Sequence, residues 1–248
     1  MTDRWRVFAN LATLANALLG VGAILYVLAG NKLWAMLLIV SAIGFDGLDG
    51  IFSRRSRTSG SSFGRVADSI ADAITFGLAP AFLIAVHTSD SSAWDPVETF
   101  ALVVAAAYFA AAVARLVYFT ARAYHRSDFL GVPTPQAALA VVVALLFHDT
   151  PALQGVQPVG VFVGVAVLAL LMVVPIPYPK IRRASPLRVP MILTGIFAGL
   201  GLLLFQFHPS AGTGPYDVAL IASYGLLIGV ASYLVLGPFT VRPKPKEG

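Results

Sequence analysis

Apolar runs of about 20 residues recur along this chain, and their length and spacing constrain its fold more than any single motif does. At 1.5 Å of rise per residue, a helix needs about 20 apolar residues to cross the hydrocarbon core of a bilayer. Eight runs can be counted, at 10–29, 33–52, 66–86, 98–119, 135–148, 159–174, 189–207 and 216–236. The fifth is short unless it begins within FLGVPTPQ, and the sixth is closed by PIPYPK, whose prolines cannot continue a helix. Composition points the same way: 58% of residues are hydrophobic and 12% charged, against about 25% charged in soluble domains. The first run follows a basic start and reaches Ala29 without a small-residue cleavage site, so it reads as a spanning helix rather than a removed signal peptide. The expected fold class is an all-α polytopic membrane protein with about eight transmembrane helices, forming a single domain over 1–248.

Charge gives an independent check on the count. Arg4 and Arg6 precede the first run, and only Lys32 lies between the first and second. Arg54, Arg55, Arg57 and Arg65 fill the next connection, whereas the one after it holds Asp90, Asp95 and Glu98 without Lys or Arg. Basic residues return at Arg122 and Arg126, again at Lys180, Arg182, Arg183 and Arg188, and in the tail at Arg242, Lys244 and Lys246. Every second connection is basic, which by the positive-inside rule puts both termini in the cytoplasm. The net charge of +5 then lies on one membrane face, where anionic headgroups and phosphorylated solutes meet it. No extended basic surface is left for nucleic acid. The absence of cysteine excludes a disulfide framework and thiolate metal sites.

Against this background the stretch FDGLDGIFSRRSRTSGSSFGRVADSIADA is anomalous. Asp46 and Asp49 are three residues apart near the cytoplasmic end of the second run, and Asp68 and Asp72 are four apart near the start of the third. Both spacings put side chains on one helical face. A charged residue at the centre of a span costs about 2.5–3.5 kcal/mol on insertion scales, and clustered carboxylates also repel one another. Helix-end placement accounts for one or two of them. Divalent cations account for all four. An all-oxygen donor set suits a hard ion, Mg²⁺ or Mn²⁺. The intervening loop offers glycines for close backbone approach (Gly50, Gly60, Gly64), serine hydroxyls (Ser53, Ser61, Ser62) and Arg54 for phosphate oxygens. Together these residues fit metal-assisted phosphoryl transfer involving a lipid.

The pattern D46-x-x-D49-G50-x-x-S53-R54, nine residues, then G64-x-x-x-D68-x-x-x-D72 resembles the signature of the CDP-alcohol phosphatidyltransferases, departing from it at Ser53, where alanine is usual. The resemblance implies that Asp46, Asp49 and Asp68, with help from Asp72, hold two divalent ions. Asp72 would also be the base for the acceptor hydroxyl. It further implies that Gly50, Arg54, Ser61 and Gly64 line the site of the CDP-lipid's cytidine and pyrophosphate, with Asn10 and Thr13 beside them, and that the protein is a homodimer. Ser53, through its hydroxyl, is expected among the substrate-binding residues, and a prokaryotic plasma membrane is the expected location. The stretches ADSIADAITFGLAPA, FLGVPTPQAA and LMVVPIPYPK resemble the membrane-embedded phosphatidylserine synthase subgroup. The implied reaction joins CDP-diacylglycerol, or an archaeal-type equivalent, to L-serine and releases CMP.

Serine's carboxylate needs a cation, and Arg115 is the candidate. It shares a helical face with Arg122, and its alternative is to snorkel to the interface. The four histidines, His87, His125, His148 and His208, fall at loop edges without ligand spacing and are expected to be solvated. Gly195-x-x-x-Gly199 is expected to allow close helix packing. Three rival functions compete: an ion- or proton-coupled transporter, a non-catalytic CDP-lipid binder, and the same chemistry with glycerol 3-phosphate or an inositol phosphate as acceptor. The transporter reading lacks an internal repeat and a midplane site.

Overall fold

In a computed structural model, which describes residues 4–55, 62–87, 95–118, 129–149, 157–178 and 234, the first six apolar runs are helices. Helix α1 (Arg4–Leu28) turns into α2 (Lys32–Arg55) through Ala29, Gly30 and Asn31. Gly30 adopts a left-handed φ of 78°, and its N–H donates to the Val27 carbonyl, closing the helix with the residue that best tolerates that conformation. The Asn31 side chain then accepts from the Trp34 N–H at 3.3 Å, satisfying one of the donors left over at the start of α2.

The third run is a single span in three parts: α3 (Ser62–Asp72), a π-helical turn π1 (Ala73–Leu78) and α4 (Ala79–Ala85). Pro80 accounts for the change of winding. Its nitrogen carries no hydrogen, so the Phe76 carbonyl four residues earlier loses its α-helical donor. That carbonyl accepts instead from the hydroxyl of Tyr108, at 2.9 Å, and Tyr108 is fully buried on α5 (Pro96–Tyr118). The Ala79 N–H reaches back five residues to the Ile74 carbonyl, which is the π pattern. Small residues let neighbouring helices come close here. A Cβ on Gly77 would sit 3.3 Å from the Ala112 methyl of α5, and one on Gly20 of α1 would run into the Thr75 side chain.

Helix α6 (Thr134–His148) and helix α7 (Val159–Val173) complete the described bundle. They are tied by a two-residue antiparallel ladder, β1 (Phe129–Leu130) with β2 (Pro177–Tyr178), in the register Phe129 to Tyr178 and Leu130 to Pro177. The first two residues of FLGVPTPQ therefore pair with the PY of PIPYPK. Gly131, at φ 74°, follows the ladder where a side chain would collide with the Met172 carbonyl.

The core is formed by Met36, Ile39, Phe76, Leu83, Tyr108, Leu145 and Phe162, all fully buried. Val7, Leu11, Leu14, Leu18, Val21 and Leu25 form an exposed apolar stripe down α1, and Val163, Val167 and Leu170 continue the theme on α7. Such surfaces suit lipid rather than water, and three segments, Val7–Leu28, Gly64–Ala85 and Pro96–Tyr118, are long and apolar enough to cross a bilayer. The chain is a helical integral membrane protein. The runs at 189–207 and 216–236, including Gly195 and Gly199, lie outside the described residues apart from Leu234, which packs against the core.

Two of the histidines depart from expectation. His87, just beyond α4, is only 8% exposed, and its Nε2 lies 3.1 Å from Nδ1 of His148, the last residue of α6. Burial lowers the His87 pKa to about 4, against the pull of Asp149 and with Lys32 and His148 adding to the decrease. The two helix ends meet there, so apolar packing around Phe162 keeps water from the ring. His125 and His208 lie outside the described residues.

Candidate active site

Helix α1 packs against both α2 and α3, and the carboxylates that α2 and α3 carry converge. Asp46 comes from α2, and Asp68 and Asp72 come from successive turns of α3. One carboxylate oxygen from each lies within 4.8 Å of the other two. Asp46 and Asp68 are half-buried, whereas Asp72 is 9% exposed at the point where α3 passes into π1. Oxygen donors this close, from three carboxylates in a partly dehydrated site, fit a hard divalent cation. Asp49 lies three residues after Asp46 on α2; its backbone alone is described.

Asn16 lies outside the motifs that mark the site in the sequence. Fully buried on α1, its Nδ2 donates to Asp72 Oδ1 at 2.9 Å, while its own backbone carbonyl accepts from the Thr75 hydroxyl, also at 2.9 Å. One residue thus holds both the carboxylate and the first π turn behind it. A signal for it was present: Asn10, Thr13 and Asn16 recur every third residue in an otherwise apolar helix. Of these three, the structure brings Asn16 to the carboxylates. Asn10 is exposed, and the Thr13 hydroxyl bonds back to the Ala9 carbonyl at 3.2 Å.

Arg115 is 7% exposed, which overturns the snorkelling alternative. Its Nη1 donates to Thr134 Oγ1 at 2.6 Å, and its charge acts attractively on Asp72. Thr134 is fully buried as the first residue of α6, where Pro133 in extended conformation and Pro135 set the start of the helix. The FLGVPTPQ stretch therefore serves the site by presenting a hydroxyl to the buried guanidinium.

The remaining candidates flank this centre. Gly50, Ser53 and Arg54 occupy the end of α2, and Gly64 the first turns of α3. The side chains of Ser53 and Arg54 are outside the described residues, and so is Ser61 altogether. With Asp46 and Asp68 at the mouth and Asp72, Asn16 and Arg115 deeper, the arrangement can hold a cation, attract an anionic group and present a fixed carboxylate to a third molecule.

Comparison with known proteins agrees with this chemistry. The CDP-alcohol phosphatidyltransferase family profile matches residues 6–176. The chain is 30% identical over 198 residues to the CDP-diacylglycerol–serine O-phosphatidyltransferase of Helicobacter pylori, an alignment covering 78% of this chain and 81% of that one. It is 31% identical over 247 residues to the Mycobacterium tuberculosis protein of the same name, covering 96% and 79%. The archaetidylserine synthase of Methanothermobacter thermautotrophicus is 30% identical over 173 residues, 69% of each chain.

Proposed function

The chain belongs to the CDP-alcohol phosphatidyltransferase family, and from that premise we propose that it transfers the phosphatidyl group of a CDP-lipid to L-serine, giving phosphatidylserine and CMP. The donor is CDP-diacylglycerol or its archaeal-type equivalent, the two lipid classes implied by the names of its relatives. Membership of an enzyme family with the carboxylate cluster present sets aside the transporter and the non-catalytic binder. The observation that carries the reading is the convergence of Asp46, Asp68 and Asp72, with Asn16 and a buried Arg115 behind them.

In this reading Asp46, Asp49, Asp68 and Asp72 would hold two divalent ions, Mg²⁺ or Mn²⁺, as an all-oxygen set of this kind favours. When bound, the ions supply positive charge to the pyrophosphate and to the departing CMP. Gly50, Ser53, Arg54, Ser61 and Gly64 bind the cytidine and pyrophosphate, and Asn10 and Thr13 border the entry. Asp72 takes the proton of the serine hydroxyl as that oxygen bonds to the β-phosphorus. The bond from the β-phosphorus to the bridging oxygen breaks, and CMP leaves with the electron pair. Asn16 fixes the rotamer of Asp72 through Nδ2. Arg115, itself held by Thr134, receives the serine carboxylate.

The same reading places the active site on the cytoplasmic face of a prokaryotic plasma membrane. The whole chain, 1–248, forms one domain with about eight spans and cytoplasmic termini, and it works as a homodimer. The deciding assay offers purified protein, CDP-diacylglycerol and Mg²⁺ or Mn²⁺ to serine, glycerol 3-phosphate, inositol phosphate and choline separately, and measures CMP release. Release with serine alone is expected. Release with a phosphorylated alcohol instead would move the assignment within the family, and no release with any alcohol would remove it.

A further inference from the structure

His87, His148 and Asp149 meet at the end of the bundle opposite the aspartates. His87 follows Asp72 by fifteen residues along the third span, about 20 Å at helical rise. One atom from each of the three residues contributes to a tight triangle: His87 Nε2 to His148 Nδ1 is 3.1 Å, His87 Nε2 to Asp149 Oδ1 is 3.7 Å, and His148 Nδ1 to Asp149 Oδ1 is 3.8 Å. The point equidistant from its corners lies about 2.1 Å from each, which is the length of zinc–nitrogen and zinc–carboxylate bonds. We propose that these three residues form a second metal site, for a divalent late-transition ion such as Zn²⁺, that clasps the outer ends of the third span and α6.

A hydrogen bond between the two rings would explain the shortest edge alone. It leaves unexplained why the carboxylate oxygen approaches both ring nitrogens at 3.7–3.8 Å, beyond hydrogen-bonding range. Ligands about 2.1 Å from a shared ion stand about 3.4–3.6 Å apart, close to the edges observed. Two imidazoles and one carboxylate are softer than the all-oxygen aspartate set, so the sites should select different ions. Asp149 is 39% exposed and His148 is 15% exposed by side chain, so the carboxylate corner of the triangle is reachable from solvent although His87 is buried. The Lys32 ammonium is occupied nearby, donating to the His87 carbonyl at 3.1 Å rather than entering the triangle.

The test uses the full chain in detergent, stripped with a chelator, incubated with Zn²⁺ in a large excess of Mg²⁺ and desalted. Elemental analysis should find about one zinc per chain, and Co²⁺ in its place should give the visible absorption of a four-coordinate ion. His148→Ala and Asp149→Asn should each weaken zinc binding by about tenfold or more, whereas Asp68→Asn should retain it. Asp149 is exposed, so its substitution leaves the packed core intact, and an unchanged size-exclusion profile checks this. Wild-type protein that keeps no zinc would overturn the proposal. So would zinc retained at full affinity by both His148→Ala and Asp149→Asn, or zinc lost in Asp68→Asn alone.

Discussion

Asp72 owes its orientation to a residue 56 positions earlier in the chain. A carboxylate that takes a proton from an alcohol must point at it, and misplacement by about 1 Å can lower a rate by about a hundredfold. Asp72→Asn should therefore abolish CMP release while leaving CDP-lipid binding nearly intact; retained turnover would end its assignment as base. Asn16→Ala should lower kcat by roughly tenfold to a hundredfold with little change in KM for the CDP-lipid, and should alter the pH profile of kcat. Asn16→Ser, which keeps a donor, should recover part of the loss. If Asn16 merely packs helices, its variants will shift thermal stability and leave the pH profile unchanged. Arg115→Lys retains charge but loses the planar fork. The KM for serine should rise by about tenfold while kcat changes little, the size of one lost charge-assisted hydrogen bond.

At the scale of elements, the third span shows how a broken backbone bond is made good by a neighbour. Pro80 removes the donor for the Phe76 carbonyl, and the Tyr108 hydroxyl replaces it. Tyr108→Phe should leave that carbonyl buried without a partner and destabilise the protein by about 1–3 kcal/mol in detergent unfolding experiments. In a Pro80→Ala background the backbone N–H returns, so the same substitution should be milder; additive effects would count against this account. The π turn sits directly after Asp72, and Thr75 within it bonds the backbone of Asn16. The winding that follows from Pro80 thus reaches the site through one hydrogen bond. Neither the π turn nor its partner is legible in ADSIADAITFGLAPA, because proline marks a lost donor without saying who replaces it.

For the whole molecule, the exposed apolar stripe on α1 and the three spanning segments require a bilayer. The chain lacks cysteine, so single cysteines report topology without background labelling. In sealed cells, Ser92→Cys should react with a membrane-impermeant maleimide added outside, and Ser56→Cys should react only after the cells are opened. The reverse pattern would invert the expected orientation and move the aspartate site to the other face.

Helix-sized apolar runs, the alternation of basic loops and the spacing of the four aspartates are local properties, set by the rise of a helix and by the energy of placing charge near lipid. They were readable without a structure, and α6 and α7 fall within a residue of the runs at 135–148 and 159–174. Partnerships between distant positions were not. Asn16 with Asp72, Tyr108 with Phe76, Arg115 with Thr134 and His87 with His148 depend on which helix faces pack together. The histidines were expected in solvent because each stands alone in its own stretch of chain. Packing brings His87 and His148 together, because α4 and α6 touch and His87 lies just past the end of one while His148 ends the other.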